Sequence, residues 1–313
     1  MKTNWTTANI PAQAGRRVLI TGANSGIGFE TALALARQGA ELILPARTQA
    51  KADDAAARIR EQVPNAQLHT EILDLAVLAS VHAFARRVME RFPSQSLDLL
   101  INNAGVMALP AREITADGFE RQFATNYLGP FALTALLLPS MKQKAGSRVV
   151  TVSSAASNQG KIEFDNLQSE RVYKPMQAYS QSKLADLIFA RELQRRLKTV
   201  WSPILSTAAH PGYAVTNLQA DHLPLWMKMT LAVMKPILSQ DAAHGALPTL
   251  YAAVAAEAVA GGYYGPDGFM EAKGYPTAAP IPKSALDETV AKRLWLESEC
   301  LTRVKFGAIS DVM

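Results

Sequence analysis

"RVLITGANSGIGFETALALARQGAELILPAR", residues 17–47, decides the fold. An apolar, β-branched run at 17–21 leads into a glycine-rich turn, apolar residues at helical spacing follow over 27–38, and a second β-branched run closes the stretch at 41–46. Strand, helix and strand in that order make a βαβ unit, whose two strands lie parallel. Gly22, Gly26 and Gly28 stand as GxxxGxG at the strand-to-helix junction, with Asn24, Ser25 and Ile27 between them. Glycines there let the backbone turn tightly and approach a pyrophosphate, whose charge is favoured by free N–H groups and the positive end of the helix dipole. A tight turn with no ligand uses the same glycines, so the motif alone leaves both readings open.

The alternation continues through the first two-thirds of the chain. Strands are expected at 67–72, 98–101, 148–152 and 203–208, with a short one at 263–264; helices at 49–62, 77–91, 118–138, 177–198 and 240–256. That order is the signature of a doubly wound parallel sheet, and with no repeat or linker to interrupt it the 313 residues read as a single α/β domain. One stretch stands apart, an apolar segment at 220–239 expected to form a short helical lid over the substrate; the single domain includes a C-terminal extension over about 271–313.

Composition narrows the partners. Charged residues make up 19% of the chain, below the roughly 25% of an average soluble domain, which suits a sheet covered on both faces. The net charge of +5 favours an anionic ligand. The basic residues are nevertheless scattered, with no long basic run and no interleaved aromatics, so nucleic acid is not expected and a phosphate-bearing small molecule is. Cys300 is the only cysteine, which removes intramolecular disulfides and thiolate metal sites. The N-terminus lacks an apolar run of signal-peptide length, and no apolar stretch reaches the roughly 18 residues of a membrane span, so a cytoplasmic protein without a membrane anchor is expected.

The second strand ends on Pro45, Ala46 and Arg47, with no acidic residue to accept ribose hydroxyls. Arg47 suits a 2'-phosphate instead, so the expected cofactor is NADP(H); a solvated surface arginine is the bland alternative. Asp74 and Leu75 follow the third strand, and Asn102, Asn103, Ala104 and Gly105 follow the fourth. Both groups fall at carboxyl ends of strands, where α/β ligands bind. Asp74 is expected near the adenine and Asn102 as a brace for its loop, although Asp and Asn also favour turns for their own backbone reasons.

In "AYSQSKLAD", residues 178–186, Tyr179 and Lys183 lie four apart on a helical stretch and so share a face. An unperturbed tyrosine has a pKa of about 10, and a nearby cation favours its phenolate. A tyrosine tuned in this way exchanges a proton with a carbonyl or alcohol oxygen. In isolation the pair is equally an amphipathic contact of a cation with an aromatic edge.

TGANSGIG, NNAG, Asn126 in "ATNYLGPF", "VSS" at 152–154, "YSQSK" at 179–183 and "HPG" at 210–212 come in the order and approximate spacing of the short-chain dehydrogenase/reductases. The chain resembles their retinol-dehydrogenase-like branch over about residues 15–270, including the insertion "GKIEFDNLQSE" at 160–170. The resemblance implies a Rossmann fold and an NADP-dependent enzyme that interconverts a carbonyl and an alcohol, with a lipophilic small molecule as substrate. It gives Tyr179 the role of proton donor, with Lys183 as its partner, and gives Asn126 a water that relays protons to Lys183. It selects Ser154 to bond the reacting oxygen, where the residues themselves leave Ser153 and Ser154 open. Pro211, Gly212 and Thr216 are implied in the loop over the nicotinamide. No catalytic metal is expected, and a homodimer is a family expectation. The competing readings are a non-catalytic NADP-binding regulatory or scaffold protein on the same fold, and an epimerase or dehydratase.

Overall fold

The computed structural model describes residues 4–92, 94–212 and 240–310. Seven parallel strands, β1 (Arg17–Ile20), β2 (Glu41–Ala46), β3 (Leu68–Ile72), β4 (Leu99–Asn102), β5 (Arg148–Val152), β6 (Leu205–Ala209) and β7 (Tyr263–Pro266), form one sheet in the order β3-β2-β1-β4-β5-β6-β7. An eighth, β8 (Pro276–Ala278), pairs antiparallel with β7 at the edge. The order reverses between β1 and β4, and the carboxyl ends of strands at such a switch point are where open α/β sheets bind ligands.

The helices are α1 (Gly26–Arg37), α2 (Gln49–Gln62), α3 (Leu78–Arg91), α4 (Arg121–Phe123), α5 (Gly129–Leu137), α6 (Pro175–Thr199), α7 (Ala242–Val254) and α8 (Glu288–Thr302). Successive strand residues feed opposite faces. Val18 and Ile20 of β1 join Phe29, Leu33, Ile59 and Leu250 of α1, α2 and α7 on one side. Leu19 joins Phe84, Phe131, Leu187 and Trp295 of α3, α5, α6 and α8 on the other. Burial on both faces is why the strands read as unbroken apolar runs.

One sequence expectation is corrected. The helix expected over 118–138 begins only at Arg121: Gly118 has φ +85, and buried Glu120 turns its carboxylate back to accept from the N–H groups of Gln122 and Phe123. Inside it, Ala124–Leu128 winds as a π-helical turn before α5 resumes. The C-terminal extension, expected as part of the single domain, contributes Leu294, Trp295, Phe306 and Ile309 to the core. Asp287 caps α8, and Trp295 packs edge-on to Phe131 at 5.2 Å and stacks on Phe189 of α6 at 5.9 Å. Arg196 of α6 donates to the carbonyls of Ile309 and Ser310, tying the chain end to the helix that carries Tyr179 and Lys183. The spacing Ala291, Leu294, Trp295, Ser298 after an Asp cap is a helix signal the sequence did offer.

The expected lid at 220–239 and Thr216 lie outside the described residues.

Trp295 is almost fully buried at 1% exposure, so Trp295→Ala removes a large side chain at the joint between α8 and α6. The expected loss is about 3–5 kcal/mol of unfolding free energy, read from urea denaturation followed by far-UV circular dichroism.

Candidate active site

A cavity of about 320 Å³ opens at the carboxyl ends of the strands, at the switch point between β1 and β4. Its floor is made where two loops meet. Gly22, at φ +71, lies so close to the β4 loop that a Cβ there would stand 2.8 Å from Ala104 Cα. A Cβ on Gly28 would collide with the Gly22 carbonyl and the Asn103 side chain. The glycines are therefore demanded by loop packing as well as by any ligand. Thr21 Oγ1 accepts from the N–H groups of Asn103 and Ala104, each at 3.0 Å, and Asn103 Nδ2 donates to the Thr21 carbonyl at 2.9 Å. Asn103, not Asn102, is thus the brace. Asn102 turns away and donates to Thr134 Oγ1 at 2.9 Å.

Above this floor, Ser25 caps α1 by position but makes no side-chain bond to the first-turn N–H groups. Those donors are left for an anion. Arg58 lies over the Phe29 ring at 4.1 Å and donates to the Asn24 carbonyl at 3.2 Å, holding the glycine turn in place. Arg47 is exposed on the cavity rim, and Lys51 of α2 lines the same end. Lys51, one helical turn on, was not singled out from sequence. Asp74 lines the cavity while its Oδ1 accepts from Ala76 N–H at 2.9 Å, so it serves the turn as well.

Tyr179, Lys183 and Pro211 line the side toward β5 and β6, and Gly26, Ile27, Leu75 and Gly105 complete the lining. Of the two serines, Ser153 lines the cavity, and its hydroxyl donates to the Lys183 carbonyl at 2.6 Å. Ser154 Oγ accepts from Ala156 N–H at 3.2 Å, and its own O–H proton has no acceptor among the described residues. Gly212, at φ +65, packs where a Cβ would strike the Ala272 carbonyl.

Asn126, at 2% exposure, sits in the π turn behind the wall. Its Oδ1 accepts from Val106 N–H at 2.7 Å and its Nδ2 donates to the Val106 carbonyl and Ser182 Oγ, both at 2.9 Å. It pins the β4 loop to α6. A Cβ on Gly105 would lie 3.2 Å from Asn126 Oδ1 and 3.6 Å from Lys183 Nζ, so that glycine lets the loop rest against the ammonium.

Lys183 donates to the Val152 carbonyl at 2.9 Å and to Asp186 Oδ2 at 2.8 Å. Burial pulls the ammonium down, but the negative charge of Asp186, the Tyr179 phenol and the Asp186 hydrogen bond outweigh it and leave it above the usual lysine value. Burial raises the Asp186 carboxyl, and against the pull of Lys183 it is pushed up to about 7.

A model of the family described as short chain dehydrogenase matches residues 16–224. The chain belongs to the short-chain dehydrogenase/reductase family. It is 41% identical over 310 residues to retinol dehydrogenase 13 of Homo sapiens, covering 97% of this chain and 88% of that protein, which sets it in the retinol-dehydrogenase-like branch. The crystal structure of an uncharacterised protein from Mycobacterium paratuberculosis matches with a TM-score of 0.80 at 41% identity, over 97% of this chain and 99% of that one. The angucycline C-6 ketoreductase LanV with bound NADP matches with a TM-score of 0.63 at 27% identity, over 81% of this chain and 94% of that one. As a short-chain dehydrogenase/reductase, the chain is an oxidoreductase acting between alcohol and carbonyl.

The three hydrogen bonds of Asn126 carry a structural load. Asn126→Ala strands both Val106 backbone groups, and a stability loss of about 2–3 kcal/mol is expected, measured by thermal and urea unfolding of the purified variant.

Proposed function

We propose that this short-chain dehydrogenase/reductase is NADP(H)-dependent and interconverts a ketone or aldehyde and its alcohol on a bulky apolar substrate. The observation that carries the reading is Tyr179 and Lys183 one helical turn apart in the wall of a cavity whose other end offers the free N–H groups of α1 beside Arg47 and Lys51. The residues fit a dinucleotide. Glycines keep the floor low, cations stand at one end, and a hydroxyl-and-ammonium cluster stands at the other. NADP bound to LanV and retinol in the name of the human relative support the cofactor and the apolar substrate class. The apolar run at 220–239 supports the latter too.

A dinucleotide held by the α1 N-terminus, Arg47 and Lys51 would supply hydride to the substrate carbon, or accept it in the reverse direction. Tyr179 donates its phenolic proton to the carbonyl oxygen in reduction and takes it back from the alcohol in oxidation. Ser154, whose O–H proton has no acceptor among the described residues, donates a hydrogen bond to the same oxygen as negative charge develops there. Lys183 holds positive charge one turn from the phenol, and Asn126 keeps the loop beneath it in place.

A screen of ketones and aldehydes with NADPH, followed by loss of reduced-nicotinamide absorbance, tests the reading: binding without consumption of NADPH for every carbonyl would assign a scaffold instead. Tyr179→Phe keeps the ring and removes the transferable proton. It is expected to lower kcat by about 10² to 10⁴ with little change in NADPH affinity, and retention of more than about a tenth of the rate would take Tyr179 out of the mechanism. Arg47→Asp exchanges attraction for repulsion at the 2'-phosphate, so the ratio of kcat/KM for NADPH over NADH should fall. The fall is expected to be partial, because Lys51 remains at that end.

A further inference from the structure

Asp186 has no place in the reading above. It lies one turn beyond Lys183 on α6, at 1% exposure, and its Oδ2 takes the lysine's hydrogen bond at 2.8 Å. Its Oδ1 is buried with no hydrogen-bond partner among the described residues. A carboxylate sealed from water with a single donor is a poor stabiliser, because desolvation offsets most of the attraction, and an apolar residue would pack as well. What the carboxylate provides at this position is a counter-charge for one particular ammonium.

We propose that Asp186 is a positioning residue for proton transfer: from below, it accepts the Lys183 hydrogen bond and keeps that ammonium charged and fixed between the Val152 carbonyl and Tyr179. The inference rests on the proposed function, since it concerns the same site. Lys183 is itself buried at 5% exposure, and such a lysine, left without a partner, tends to shed its proton. Asp186 opposes this, and its own ionisation depends on the same lysine, so the two titrate as a coupled pair. The hydrogen bond to Val152 O, on β5, sets the direction of Nζ; the one to Asp186 sets its depth.

The groups facing the pair come from three elements. Tyr179 lies on α6 with it. The π turn contributes Asn126 and Tyr127, whose buried phenol is held neutral and hydrogen-bonded to Ser298 of α8 at 2.7 Å. β5 contributes the Val152 carbonyl and Ser153, and β7 places Tyr263 behind Ser153, near Tyr179 rather than against the pair. None of these replaces a carboxylate in hydrogen-bond contact with Lys183.

The test is Asp186→Asn, which keeps the shape and removes the charge. Carbon NMR of lysine-labelled protein, with the Lys183 signal assigned by its loss in Lys183→Met, should show the Lys183 titration moving down by on the order of one unit or more. The alkaline limb of the kcat profile should move down with it, and Asp186→Glu should restore part of both. An unmoved Lys183 titration in a folded Asp186→Asn protein overturns the proposal, as does a loss of stability or rate with the pH profile in place. Because the NMR titration needs no substrate, it decides this inference even if no carbonyl compound is turned over, a result that would defeat the proposed function alone.

Discussion

Two backbones touch at the switch point of the sheet with no room for a side chain between them. Gly22 lies against Ala104, Gly28 lies under the Gly22 carbonyl and Asn103, and the Thr21 hydroxyl takes two N–H groups from the neighbouring loop. This contact joins the ends of β1 and β4, the two strands between which the chain reverses its winding. The opening of the cavity, the half-buried start of α1 on its floor and the course of the β4 loop toward Lys183 all follow from it. A side chain at Gly28 would lift one loop off the other before any ligand arrived.

A second joint fixes the reacting end. α6 runs from Pro175 through Tyr179, Lys183 and Asp186 into the buried Arg196, and it is held on three sides. Asn126 ties it through Ser182 to the β4 loop, Ser153 ties it to β5, and Trp295 and the chain end lock its lower half. Each of these is a buried contact between segments distant in sequence. Together they hold a phenol, an ammonium and a carboxylate in register inside a low-dielectric wall, where charges act on one another more strongly than in water.

The insertion at 160–170 belongs to the same support. Ile162 and Leu167 enter the core, and Gln181 of α6 accepts from Glu163 N–H and donates to the Leu167 carbonyl. Gly160 passes so near α6 that a Cβ would strike the Ser180 carbonyl. The stretch between the serine pair and the tyrosine therefore braces the helix that presents the tyrosine.

The sequence by itself determined the parallel α/β sheet, the site at its carboxyl edge and the sharing of one helical face by Tyr179 and Lys183. Those follow from local rules: apolar periodicity, glycine spacing and the pitch of a helix, each visible within a few residues. Only the tertiary structure decided that Asn103 rather than Asn102 braces the loop, that Asn126 rides on a π turn, that Ser153 is bound to the Lys183 carbonyl while Ser154 keeps its proton, and that Asp186 faces the lysine in a dry wall. It also decided where the C-terminal extension packs, because α8 meets the groove between α5 and α6 only once those helices are in place. Which nitrogen meets which oxygen, and how far each is from water, depends on partners tens to hundreds of residues away, and no local pattern encodes that.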